Sequence, residues 1–275
     1  MRKIIFCLLF LVVACSKNEQ LTETFIKNAQ NESIYIKLDG WQNLANHKLA
    51  FLQHGLASNM SHSVIQTTKK ALLNNGYFVV TFDSRYSLGK SDGEVQYVNL
   101  STFTQDLTDV INWAKSQPFY HEPFTIGGHS LGGASVILYA ANHQQQINKL
   151  IPITPVISGE LWEASCMKNM PDFCKQWKKS GFYEYKTTDK TATIPYQLVE
   201  ESKAYDAMKL VSDITAHTLL VSAKNDIVID PHDVQNFAQK LQTHAQFTLI
   251  PQSDHNFESK QNQTDLYKVV SDFTR

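Results

Sequence analysis

Two kinds of hydrophobic pattern take turns along this chain. Runs that are apolar at nearly every position occur at Lys48 to Gln53, Tyr77 to Phe82, Phe124 to Ile126, Lys149 to Thr154, Thr218 to Ser222 and Phe247 to Ile250. Runs this short and this apolar are expected of strands buried on both faces. Between them the period lengthens to that of a helix. Val64, Ile65, Thr68, Ala71 and Leu72 share one face of a stretch that Ser61 could cap, that runs through Asn75 and that Gly76 could end. Phe103, Leu107, Val110, Ile111 and Ala114 share a face in a stretch starting at Ser101, with Pro118 just beyond it. Ala134 to Ala141, then Val234, Phe237, Ala238 and Leu241, then Leu266, Val269, Val270 and Phe273 complete the series. Buried strands alternating with amphipathic helices predict an α/β chain, with a mostly parallel central sheet and helices on both faces. Ahead of them, Ser33 to Leu38 alternates apolar with polar and ends at Asp39-Gly40, a half-exposed strand and turn.

The alternation stops after Pro155 and resumes at Thr218. A gap of about 60 residues is too long for a structureless loop in a compact domain. The segment is rich in large side chains, among them Trp162, Met167, Met170, Phe173, Trp177, Phe182, Tyr183, Tyr185 and Tyr196. It is expected to form a helical cap over the sheet edge, spanning 157–212, with 31–156 and 213–275 as the core.

Composition changes this picture only at the ends. With 275 residues and 43% hydrophobic content the chain can bury a large core. A formal charge of -1 and the absence of a basic block give no reason to expect a nucleic-acid partner. Residues 1–14 are different: Arg2 and Lys3 precede an apolar run from Ile4 to Ala14, too short for a membrane span and laid out like an export signal. Val12-Val13-Ala14-Cys15 resembles a bacterial lipoprotein box, which implies lipidation of Cys15 and a polar tether over 15–30. Because residue 16 is Ser rather than Asp, the same resemblance implies the outer membrane; release into the periplasm or medium is the alternative.

The candidate chemistry centres on Gly128-His129-Ser130-Leu131-Gly132. This G-x-S-x-G pattern sits between a buried strand and a helix, as a nucleophile elbow requires. A serine hydroxyl needs a base, and the base needs an orienting acid. Asp226 follows the strand that ends near Ala223, and His255 follows the last strand, so Ser130, Asp226 and His255 come in the order such a site needs. Asp230 and Asp233 are competitors for the acid's role. The backbone N–H groups of Leu131 and of Leu56, the latter after the turn at Gly55, are the candidate oxyanion donors. His54 is expected to tie down its loop by hydrogen bonds.

Several of these pieces together resemble the α/β-hydrolases. They are His54-Gly55, Phe82-Asp83-Ser84-Arg85 with Gly89 to Gly93, Gly128 to Gly132, Asp226, and Ser253-Asp254-His255. Within that superfamily the chain is similar to capped bacterial feruloyl (cinnamoyl) esterases and monoacylglycerol lipase-like enzymes. One departure is that Tyr86 stands where those enzymes usually have Gly, in a turn one residue longer than theirs. The resemblance implies an α/β-hydrolase fold and a serine hydrolase that works through an acyl-enzyme and needs no metal or other cofactor. The aromatic cap points to small-molecule esters with an apolar or aromatic acyl group. A peptidase of the prolyl-aminopeptidase type is the alternative, with Glu160, Glu163 or Glu184 receiving the substrate's amino group; a lipid-anchored binding protein without catalysis is another.

Of the four cysteines, Cys7 belongs to the signal and Cys15 to the lipid site. Cys166 and Cys174 are left together in an oxidising compartment, and a disulfide between them is expected.

Overall fold

The apolar runs come together as neighbours in one sheet of a computed structural model that describes residues 22–187 and 190–275. The signal, Cys15 and the first part of the tether lie outside the described residues. In chain order the strands are β1 (Glu23–Lys27), β2 (Ser33–Asp39), β3 (Lys48–Gln53), β4 (Tyr77–Asp83), β5 (Phe124–His129), β6 (Ile147–Ile153), a hairpin of β7 (Phe182–Lys186) and β8 (Thr191–Pro195), then β9 (His217–Ala223) and β10 (Ala245–Ile250). The main sheet runs β1-β2-β4-β3-β5-β6-β9-β10, antiparallel across its first two pairs and parallel from β4 onward.

Among the described residues the α-helices are α1 (Ser63–Asn74), α2 (Leu100–Ala114), α3 (Leu131–Asn142), α4 (Gly159–Asn169), α5 (Pro171–Ser180), α6 (Gln197–Ser202), α7 (Pro231–Leu241) and α8 (Lys260–Thr274). Successive strand residues point to opposite faces, and the core follows that period of two. In β4, Phe78, Val80 and Phe82 pack in one cluster with α2, α3 and α7, while Tyr77 and Val79 pack under α1 on the other face. In β9, Leu220 joins the first cluster, and Leu219 and Val221 meet α1 and α8. Each such side chain, fully buried, stabilises the fold by about 1.5 to 3 kcal/mol.

The structure shifts several expected boundaries. Residues 23–27, expected to be tether, form edge strand β1 against β2. Ile26 is its one buried hydrophobic residue and Phe25 is 53% exposed, so the hydrophobic signal there is thin. α1 is capped by His62, whose Nδ1 accepts the Val64 N–H at 3.4 Å, while Ser61 lies in the preceding turn. α2 is capped by Asn99, not begun at Ser101; Asn99 and Thr102 exchange side-chain to backbone hydrogen bonds of 2.8 and 3.2 Å, a capping box.

The insert is not wholly helical, because Phe182–Lys186 and Thr191–Pro195 pair as an antiparallel hairpin. Both segments carry the aromatic and β-branched residues that favour strands. The neck of the insert is closed where Ala207 N–H donates to Ile157 O at 2.8 Å, beside a bridge between Ser158 and Asp206. Two latches hold it to the core. Lys168 pairs with Asp230 at 2.8 Å and Asn169 Nδ2 donates to Ile227 O at 3.2 Å; elsewhere, Lys190 donates to Leu88 O at 2.9 Å. Such contacts are solvent-screened and fix the position of the insert more than they stabilise it. Cys166 of α4 and Cys174 of α5 form a disulfide, with Cα atoms 6.0 Å apart. Closing so short a loop stabilises the insert by roughly 2 to 3 kcal/mol on the chain-entropy account.

The turn after β4 explains Tyr86. Its φ of 56° lies in the left-handed region that glycine favours, at a cost of roughly 1 to 3 kcal/mol for other residues. The side chain brings compensation, since Tyr86 Oη donates to Glu32 at 3.0 Å. Arg85 beside it is bound by both Glu32 and the buried Asp106, its Nε donating to Asp106 at 2.6 Å.

Candidate active site

Ser130 stands between the end of β5 and the start of α3 with φ 56° and ψ -116°. Its glycine neighbours make that turn possible. A Cβ on residue 128 would lie 2.2 Å from Gly132 O, and one on residue 132 would lie 2.3 Å from His54 O. Both distances are far inside van der Waals contact, so only glycine fits at either place. The strained residue is pinned on both sides, with Ser130 N–H donating to Ile153 O at 3.0 Å and Val156 N–H donating to Ser130 O at 3.2 Å.

Three residues far apart in sequence meet at this edge of the sheet, where the carboxyl ends of the parallel strands open. His255 Nε2 lies 2.9 Å from Ser130 Oγ, and His255 Nδ1 lies 2.7 Å from Asp226 Oδ2. A carboxylate only accepts, so Nδ1 carries the proton and the Nε2 lone pair faces the serine hydroxyl. The other oxygen of Asp226 accepts N–H groups of Val228 at 2.8 Å and Ile229 at 2.9 Å, which fixes the carboxylate, and its side chain is fully buried. Asp230 instead caps α7 and pairs with Lys168. Neither Asp230 nor Asp233 hydrogen-bonds His255.

Leu131 N–H belongs to the first turn of α3, where backbone donors lack partners within the helix and the helix dipole favours negative charge. The loop after β3 approaches from the other side, so close that a Cβ on Gly55 would lie 3.1 Å from Ser130 Cβ. Leu56 and Leu131 border the same cavity as Ser130 and His255. His54 is wholly buried; its Nε2 accepts Ser84 N–H at 2.9 Å and its Nδ1 lies 2.7 Å from Gly55 O. Burial holds its imidazole below the usual histidine range. It anchors this loop and is not among the residues bordering the cavity.

That cavity measures about 260 Å³. The insert supplies most of its wall through Trp162, Met170, Phe173, Trp177, Tyr183 and Tyr185. Trp177 meets Tyr183 edge-on at 4.9 Å, and Phe173 meets Tyr183 at 5.0 Å, so the rings brace one another. Met167, Phe182 and Tyr196, expected in the same wall, are not part of it. A larger space of about 390 Å³ lies beyond the Lys168 latch and touches Asp226 but neither Ser130 nor His255. The smaller cavity is therefore the one that can present a substrate to the serine.

The three cap carboxylates lie elsewhere. Glu163 is held by Lys178 and Lys203, each at 2.7 Å, and by Tyr196; those hydrogen bonds pull its carboxyl down to about 2. Glu184 pairs with Lys186 at 3.4 Å, and Glu160 is exposed on the first turn of α4. None of the three borders the cavity. The sequence reading also passed over His129 and His62, whose rings stack 5.3 Å apart beside the site. The position of His129, next to Ser130, was the one signal available.

A family model described as Hydrolase_4: Serine aminopeptidase, S33 matches residues 45–213. Two Escherichia coli relatives, both described as an uncharacterized 31.7 kDa protein in the traX-finO intergenic region, also align. One is 33% identical over 100 residues, covering 36% of this chain and only 34% of the relative; the other is 26% identical over 219 residues, covering 67% and 74%. Among solved structures, Est1E from Butyrivibrio proteoclasticus with ferulic acid bound superposes with a TM-score of 0.74 at 20% identity, covering 91% of this chain and 97% of that one. Alpha/beta hydrolase domain-containing protein 10 from mouse gives 0.71 at 17% identity, with 91% and 97% covered. At these identities the likeness is one of fold.

Proposed function

The chain belongs to the Hydrolase_4 (serine aminopeptidase, S33) family and is a hydrolase of α/β-hydrolase fold, and from that premise we propose that it hydrolyses carboxylic esters with an aromatic or other apolar acyl group. The observation that carries this reading is the cavity at Ser130, walled by aromatic side chains of the cap and bordered by no carboxylate. An aminopeptidase needs a negative charge to receive the substrate's ammonium group, and Glu160, Glu163 and Glu184 are all placed away from the cavity. At about 260 Å³ the space exceeds the roughly 150 Å³ that holds a benzene ring. One aromatic ring with a short linker, or a medium-length acyl chain, matches that size. Ferulic acid, the ligand in the Est1E structure, is an acid of the first kind.

In the proposed mechanism His255 takes the proton of Ser130 Oγ as the oxygen attacks the ester carbonyl, while Asp226 keeps the imidazole in the required tautomer. The N–H groups of Leu56 and Leu131 receive the oxyanion, each contributing about 3 kcal/mol to the transition state. His255 then gives the proton to the departing alcohol, and water repeats the sequence to free the acid. Hydrolysis of p-nitrophenyl and arylpropenoyl esters, compared with amino-acid arylamides, tests the substrate class. The expected kcat/KM is highest for arylpropenoyl and medium-chain esters and falls for long-chain acyl groups. A higher kcat/KM for the arylamides would establish the peptidase instead, and no turnover of any of them would leave a binding protein.

The proposal extends to location: Cys15 carries a lipid anchor in the cell envelope, at the outer membrane. A disulfide inside the cap supports an oxidising compartment. Cys15→Ser is expected to leave protein that is uncleaved or no longer partitions into detergent; wild-type protein recovered from the periplasm without lipid would refute the anchor.

A further inference from the structure

We propose that His129 is the positioning residue for His255, acting through one hydrogen bond to the backbone of the catalytic histidine. The inference rests on the reading of Ser130 and His255 as the reacting pair. His129 Nε2 lies 2.9 Å from His255 O. A carbonyl can only accept, so His129 carries its proton on Nε2 and donates it there. The tautomer leaves Nδ1 bare, and Nδ1 is buried with no hydrogen-bond partner among the described residues. Leaving a buried acceptor unsatisfied costs stability, so a residue chosen for packing alone would not be histidine at this position. The hydrogen bond to His255 is the one that the ring makes among the described residues.

Its surroundings suit that task. His129 is 3% exposed, and burial holds its imidazole well below the usual range, so it stays neutral and keeps a single, defined donor. The ring stacks on His62 at 5.3 Å with planes 12° apart, which limits its rotation, and meets the His255 ring at 4.9 Å. His62 is itself fixed as the cap of α1. A Cβ on Gly55 would lie 3.1 Å from His129 Nδ1. One side chain therefore touches the loop of the oxyanion donor and the loop of the base while its backbone adjoins the nucleophile. Three loops that the sheet only brings near one another are set in register by it.

The test is kcat per active site, counted by titration with a fluorophosphonate. His129→Leu removes the donor and keeps apolar bulk; it is expected to lower kcat per titrated site about a hundredfold, the loss that a displacement of 1 Å can cause, with KM unchanged. His129→Gln can place its amide N–H where Nε2 stands and should restore most of the rate. Should His129→Leu fail to fold, His129→Asn takes its place, since its donor is too short to reach the carbonyl. Wild-type kcat per site in the Leu or Asn variant would overturn the proposal, and so would equal losses in the Leu and Gln variants. Labelling of the wild type at a residue other than Ser130 would instead refute the underlying assignment of the pair.

Discussion

Ser130→Ala is expected to reduce kcat by about a millionfold, the loss found when the nucleophile of such a triad is removed. The size follows from the way the group works as a unit. Without Oγ there is nothing for His255 to deprotonate, and Asp226 then orients an imidazole that has no task. The residual rate should be that of the oxyanion donors and the cavity acting on water, about 10³ to 10⁴ above the uncatalysed reaction. Alanine needs the same positive φ at this position and buries no new polar group, so the fold and the cavity remain. Substrate binding is therefore expected near the wild-type value, measured by inhibition with the product acid, while fluorophosphonate labelling disappears. Turnover at the wild-type rate would remove Ser130 from the mechanism.

Asp226→Asn is expected to cost about 10⁴ in kcat, for a reason visible in its hydrogen bonds. One carboxylate oxygen already accepts the N–H groups of Val228 and Ile229. An asparagine must keep its carbonyl oxygen there, which turns its NH₂ toward His255 Nδ1. A donor at that place favours the tautomer with the proton on Nε2, and such an imidazole faces Ser130 with a proton instead of a lone pair. The base is present, well placed and unable to accept. Labelling of Ser130 should slow in proportion to kcat, with thermal stability close to wild type. Asp230→Asn and Asp233→Asn are the controls, since neither residue contacts His255. A large loss in either, with Asp226→Asn near wild type, would move the acid's role to the competitor.

The sequence by itself determined the layers of this protein. A strand hydrophobic at nearly every position, such as Tyr77 to Phe82, cannot lie at a surface, and a helix with Phe103, Leu107 and Val110 on one side must turn that side inward. These are local consequences of period, and they placed the inner strands within a few residues. The glycines around Ser130 were equally legible, because the close approach at an elbow is made by its own neighbours in sequence. Where the local signal was weak, boundaries moved: β1 turns a single buried hydrophobic residue inward, and the hairpin Phe182–Pro195 was hidden in a segment read as helical from its bulk.

What only the tertiary structure decided were matters of distance between segments that the sequence leaves free. Periodicity says that Trp162, Phe173 and Tyr183 are apolar; it cannot say that they face Ser130 while Phe182 faces solvent and Tyr196 binds Glu163. Three aspartates followed the same strand, and the carboxylate that meets His255 at 2.7 Å is the one held by two backbone N–H groups of its own turn. The fate of Glu163 depended on two lysines and a tyrosine of other elements, and the case against an amine-binding site rests on where Glu160, Glu163 and Glu184 stand relative to the cavity. His129 gave no sign of its contact because that contact is to a backbone oxygen 126 residues away, and every residue carries such an oxygen. Patterns of side chains fix which surfaces must be buried; which atoms then meet across those surfaces is set by packing, and the chemistry of this cavity is decided there.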